Sequence, residues 1–172
     1  MTGAEAATPP ILAAMAWLEG SALAEFLRGL GIWTYGLLNL GHILGIGALF
    51  GTVLILDLRL LGLWRSVSIA SLARPAVPLA AGGFVLAVFT GVAMFSFNTT
   101  EYHGNPFLYI KLPMIVVGLV NVAVIQRLGA WRRAVAGSSP GTADRAVLAV
   151  AGGMSLAIWL AVITCGRMIG YW

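Results

Sequence analysis

The stretch "IWTYGLLNLGHILGIGALFGTVLILDLRLLGL", residues 32 to 63, decides the fold. From Ile32 to Leu56 it holds no Asp, Glu, Lys or Arg. A helix needs about 20 mostly apolar residues to cross the hydrocarbon core of a bilayer, so this run is long enough to cross and to extend beyond both faces. Working outward, three further apolar runs meet the same criterion: about 77 to 97, about 107 to 125 and about 146 to 165. The joints between them carry chain-breaking chemistry. Pro75 and Pro78 precede the second run, "NTTEYHGNP" separates the second from the third, and "GSSPGTAD" separates the third from the fourth. Pro106 suits the opening turn of the third helix, and Ser138 or Thr142 is expected to cap the fourth.

Composition agrees. Of 172 residues, 60% are hydrophobic and 9% charged, against about 25% charged in ordinary soluble domains. A mean hydropathy of +0.95 is more apolar surface than a water-soluble fold can hide. The expected class is therefore an all-α membrane protein, a bundle of four transmembrane helices. The net charge of +4 does not point to nucleic acid, because the basic residues sit in short loops beside apolar spans instead of forming one patch. A single cysteine, Cys165, excludes an internal disulfide and any multi-cysteine metal site; it reads as a packed apolar thiol.

Arginine and lysine in short loops favour the cytoplasmic side. Arg59, Arg65 and Arg74 flank the first loop, and Arg127, Arg132, Arg133 and Arg145 crowd the third, which is seven of the ten basic residues. The expected topology puts loops one and three in the cytoplasm, with loop two and both termini outside, in the periplasm of a bacterial inner membrane. Cys165 then lies close to the outer surface.

The chain divides into residues 1–30, a tail with interfacial helices, and residues 31–172, the transmembrane domain. No Lys or Arg precedes Arg28, so the basic start of a signal peptide is missing. "TPPILAAMAWLEG" reads as a short helix capped by Thr8, with a mobile tail before it. "SALAEFLRG" reads as a second, opened by Ser21 and closed by Gly29. Each is too short to span and suits the outer interface.

The segment from Trp17 to Gly62 and the later "NPFLYIKLPMIVVGLVN" resemble a family of small uncharacterised bacterial four-helix integral membrane proteins. The shared pattern covers roughly residues 17 to 130: Trp17-Leu18-Glu19, Arg28, Trp33, His42 followed by Ile-Leu-Gly, Asp57-x-Arg59, Asn105-Pro106 and Lys111. The resemblance implies the fold and no reaction. Members of that family often carry a further histidine at the inner end of the third helix, where this chain has Gln126. The chain is more distantly similar to copper-resistance membrane proteins and to the membrane protoporphyrinogen oxidase, which also follow a histidine with a glycine-rich helix.

His42 is the residue that most invites chemistry, because ionisable side chains inside a membrane are costly and face the bundle interior. It lies nine residues in from Trp33, roughly 13 Å along a helix, and its helical neighbours offer only Asn39 as a polar partner. Gly41, Gly45, Gly47 and Gly51 surround it, with two G-x-x-x-G spacings that admit a close partner helix or a flat ligand. The plain reading is a neutral histidine bonded to Asn39 or to a neighbouring helix. The functional reading is an axial ligand to haem b, which takes His or His/Met pairs.

The second axial ligand is then His103, Met94 or Met114, all assigned to the outer half, with His103 preferred. Lys111 and Arg167 are placed to meet haem propionates, and Asn121 is expected to point inward. His103, with Glu101 and Tyr102, reads equally as a solvated loop residue, and membrane methionines are more often core filler.

Three functions fit these residues. One is a haem b-binding electron-transfer subunit working with a redox partner. Another is a non-catalytic anchor or accessory subunit of a larger complex or homo-oligomer. A third is copper handling through His42, His103 and a methionine. The loops lack the Met- and His-rich tracts expected of a copper carrier, and the spans lack the polar residues and inverted repeat of a transporter.

Overall fold

A computed structural model describes residues 9–172. The chain forms α1 (Pro10–Glu19), α2 (Ala22–Gly29), α3 (Trp33–Leu60), α4 (Ile69–Phe95), α5 (Pro106–Arg127), α6 (Gly129–Val135) and α7 (Thr142–Met168). Single 3-10 turns follow α4 at Thr99–Tyr102 and α7 at Ile169–Tyr171. Among the described residues four helices are long and apolar enough to cross a membrane: α3, α4, α5, and α7 with its 3-10 extension. The fold is an all-α membrane bundle. At 1.5 Å per residue, the 28 residues of α3 reach about 42 Å, enough to span the hydrocarbon and both headgroup layers.

α3 and α4 form one antiparallel hairpin, α5 and α7 the other, and the two meet mainly where α3 packs on α7. Small residues set the contacts. A Cβ added to Gly45 would stand 2.7 Å from the Ala87 backbone nitrogen, and one added to Gly83 would stand 2.6 Å from that of Leu49. Here α3 and α4 touch backbone to backbone, a contact that only glycine permits. Gly118 of α5 receives the Trp159 indole and Ile158 of α7, and Gly152 of α7 receives Leu60 of α3. Leu49, Trp159 and Val162 make the mid-bundle core, with Phe84 of α4 edge-on to Trp159. A second apolar cluster around Leu60, Trp131 and Leu148 closes the end of the bundle where α3 leads into α4. Outward-facing residues such as Ile43, Val85, Phe89, Val116 and Val150 are exposed, as a lipid-facing surface requires.

Several boundaries differ from those the sequence suggests. Pro75 and Pro78 do not precede the second span; they lie inside α4, which begins at Ile69 under an Ser68 cap. Each proline removes one backbone donor, and as the seventh and tenth residues of the helix both stand inside it. The fourth span has no Ser138 or Thr142 cap; its N-cap is Gly141, without a side-chain bond. Asn105, not singled out as a cap, holds the start of α5 by accepting from Phe107 and Leu108 N–H. Its amide also donates to the Ile169 carbonyl. Gly51 was expected at a close helix contact, yet nothing stands within 4 Å of a Cβ added there. The α3–α4 crossing is centred on Gly45, and Gly51, six residues on, has turned to another face.

The two N-terminal helices are bent by 42° about Gly20 and Ser21, with Ser21 capping α2. They dock on the outer loop. Glu19 Oε2 accepts from both the backbone N–H and the hydroxyl of Thr100, each at 2.8 Å. Arg28 donates to the Phe97 and Glu19 carbonyls. The tail assigned to residues 1 to 8, with its Thr8 cap, lies outside the described residues.

Candidate functional site

α3 carries His42 to the face that packs on α4. Its Nδ1 stands 2.8 Å from the Ala87 carbonyl and 3.2 Å from the Thr90 hydroxyl. A carbonyl oxygen only accepts, so Nδ1 carries the proton and donates it. The Thr90 hydroxyl is in turn committed to the Leu86 carbonyl at 2.6 Å. The bond fixes Nδ1 as the donor, and Nε2 makes no protein hydrogen bond among the described residues. Gly91 makes the seat, since a Cβ there would come within 2.9 Å of His42 Cε1. The plain expectation of a bond to a neighbouring helix is met, while Asn39, the partner offered by the local sequence, is not used.

Ala87, Thr90 and Gly91 were missed in the sequence. A "TG" pair in the middle of an apolar run, residues 90 and 91, is the signal that can find them, but only once the helix pairing is known.

Lys111, in the second turn of α5, crosses to α7. A Cβ added to Gly166 would stand 3.1 Å from its Nζ, and Cys165 is its neighbour there. The ammonium is half-buried, lies within electrostatic reach of His42, and has no acidic partner within salt-bridge distance among the described residues. Arg167 is engaged elsewhere, its guanidinium bonded to the Tyr171 hydroxyl and stacked over that ring.

The three expected second ligands part company. Met114 packs on the mid-bundle core with Leu49 and Trp159, and Leu49 lies seven residues, roughly 10 Å, deeper along α3 than His42. His103 is exposed at the end of the 3-10 turn, its backbone N–H bonded to the Thr100 carbonyl. Met94 is half-buried on α4, one turn beyond Thr90 and on the same helix face. Among the described residues no group of three or more His, Cys, Asp or Glu converges as a metal cage.

A second polar group lies nearer the C-terminal end of α3. Asp57 of α3 is 4% exposed and Ser155 of α7 is 3% exposed; the two are neighbours. Gly118 faces Ile158 and Trp159, so Asn121, three residues further in on antiparallel α5, comes level with Ser155. Asp57 Oδ2, Asn121 Nδ2 and Trp159 Nε1 are buried and find no protein partner. Asn121 does point inward, as expected. The convergence of three helices at this level was not legible in the sequence, where Asp57 and Asn121 are far apart.

No protein-family profile, curated protein or solved structure matches the chain.

Proposed function

We propose that this chain is a bacterial inner-membrane protein, with both termini in the periplasm, that holds a haem b in the outer half of the bundle and serves electron transfer to a partner subunit. The reading rests on the state of His42. Histidines that bind metals typically donate their other ring N–H to a carbonyl or carboxylate, which fixes the tautomer and raises ligand basicity. The Nδ1–H bond to Ala87 at 2.8 Å is that arrangement, and it leaves Nε2 as the ligating atom. Lys111, unpaired and within electrostatic reach, is suited to a propionate. Met94, on the Thr90 face of α4, replaces His103 as the preferred second ligand. When bound, the haem supplies the one-electron chemistry, and the protein tunes it through axial ligand and burial. The arginine-rich loops one and three support the orientation.

The test is a pyridine haemochrome assay on protein purified from haem-replete cells. One haem per chain is expected, with a Soret band that His42→Ala abolishes while the protein stays folded in detergent. Wild-type protein without haem refutes the proposal. His42 is then a packing histidine, and the chain reads as a membrane anchor or accessory subunit.

A further inference from the structure

The first and third loops meet at the inner end of the bundle around a cavity of about 200 Å³, lined by Arg59, Arg65, Ser66, Ser68, Ser138 and Ser139 among others. Arg59 builds one wall. Its Nε donates to the Val67 carbonyl at 2.6 Å and its terminal nitrogen to that of Arg65. Arg65 Nε bonds back to Gly62, and the loop turns through positive φ at Gly62 (107°) and Trp64 (47°). The loop is therefore fixed before anything binds. Arg145 holds the opposite lip by donating to the Pro140 carbonyl at 2.9 Å.

Arg65 and Arg145 both lie within electrostatic reach of Arg59. The nearby carboxylate, Asp144, is taken by Arg133 at 2.6 Å, so three positive charges go unmatched. Two long helices also begin here. α4 starts from Ser68 at the cavity wall, and α7 starts beside Pro140 with no side-chain cap. Unbonded backbone N–H groups and the helix dipole at such ends favour an anion. Fixed arginines, the hydroxyls of Ser66, Ser138 and Ser139 and the uncapped start of α7 are a donor set for a phosphate.

We propose that this cavity binds the phosphodiester headgroup of an anionic phospholipid from the inner leaflet. The surroundings favour a lipid over a free anion, since Leu61, Leu63, Trp64 and Val67 on the same loop are all exposed and offer an apolar surface to acyl chains beside the charged hollow. A soluble phosphate has no use for that rim.

Protein is reconstituted in nanodiscs of phosphatidylcholine with a minority of phosphatidylglycerol, then released for native mass spectrometry. One phosphatidylglycerol is expected to stay bound in preference to phosphatidylcholine. Juxtamembrane arginines contribute about fivefold each in affinity for anionic lipid, so Arg65→Gln with Arg145→Gln is expected to lose about 25-fold. Ser139→Trp, which fills the hollow without changing charge, is expected to lose retention too, and its melting curve checks that it folds. Arg127→Gln with Arg132→Gln removes the same charge outside the cavity and is expected to keep the lipid.

Equal loss in both double variants, or full retention in Ser139→Trp, overturns the proposal, because binding is then general surface attraction. Displacement of the lipid by millimolar inorganic phosphate in detergent, with phosphate binding in its place, overturns the lipid assignment in favour of a soluble anion.

Discussion

Replacing Gly45 by alanine adds one methyl group at the point where α3 and α4 touch. The new Cβ falls 2.7 Å from the Ala87 nitrogen, 2.9 Å from the Gly83 oxygen and 3.1 Å from the Ala87 Cα, all backbone atoms that no rotamer change can move. Ordinary contact begins at 3.4 Å, so α4 must retreat by 3.4 minus 2.7, or 0.7 Å. Overpacking of this kind costs about 1–3 kcal/mol. It also acts on the residue that holds His42. A 2.8 Å bond to Ala87, lengthened by the same amount, reaches roughly 3.5 Å and ceases to count as a hydrogen bond.

Gly47 provides the matched control, two residues away on the same helix, with nothing within 4 Å of an added Cβ. There alanine gains the helix propensity that glycine lacks, up to about 1 kcal/mol. Thermal unfolding of the two variants in detergent is expected to separate them, with Gly45→Ala melting about 2–12 °C below wild type and Gly47→Ala at or above it. Equal melting temperatures refute the reasoning. They would mean that the two helices adjust freely and that the crossing does not position the imidazole.

Two further outcomes follow from the outer surface. In a Cys165→Ser background, a membrane-impermeant thiol reagent is expected to label Glu101→Cys in oriented membranes and to reach Ser138→Cys only after the membrane is opened; the reverse pattern inverts the topology. Glu19 is held below the ordinary carboxylate range by the backbone N–H and then the hydroxyl of Thr100, so its contact stabilises the docked α1 above that range and is lost as pH falls through the depressed value. Hydrogen exchange at the Thr100 amide is expected to rise on acidification in wild type and to be already fast and pH-flat, after correction for intrinsic rates, in Glu19→Gln. An unchanged profile in the variant sinks that link.

The four spans were legible because a bilayer demands long apolar runs, and Ser21 and Pro106 announced helix starts through chemistry that acts over three or four residues. The start of α4 was not. Pro75 and Pro78 read as punctuation because a proline inside a helix removes a hydrogen bond and crowds the preceding turn, yet α4 runs through both from its Ser68 cap. The pairing of helices was also hidden. Gly45 was identifiable by its spacing, but nothing local distinguishes it from Gly51, because the difference lies in which face meets Gly83. For His42 the expected partners were Asn39 or a neighbouring helix, and the neighbouring helix supplies it. Its bond goes to a backbone carbonyl 45 residues away, and every residue of a chain supplies such a carbonyl, so no side-chain pattern can mark it.

The prolines inside α4 have a consequence for how the protein opens. Pro75 leaves the Ser71 carbonyl, and Pro78 the Arg74 carbonyl, without the usual donor four residues on. Ser71 and Arg74 are both exposed. The first turns of α4, although Ile69 and Ala73 pack in the cluster around Leu60 and Trp131, thus have fewer backbone bonds than the stretch from Gly83 to Gly91, which is clamped on α3. Local unfolding in this span is expected to start at its N-terminal end and to halt at the glycine crossing. The amides of residues 72 to 74, 76 and 77 are expected to exchange with solvent while those of 84 to 91 remain protected, so a single helix is divided into a pliable foot and a rigid shaft that carries the histidine seat.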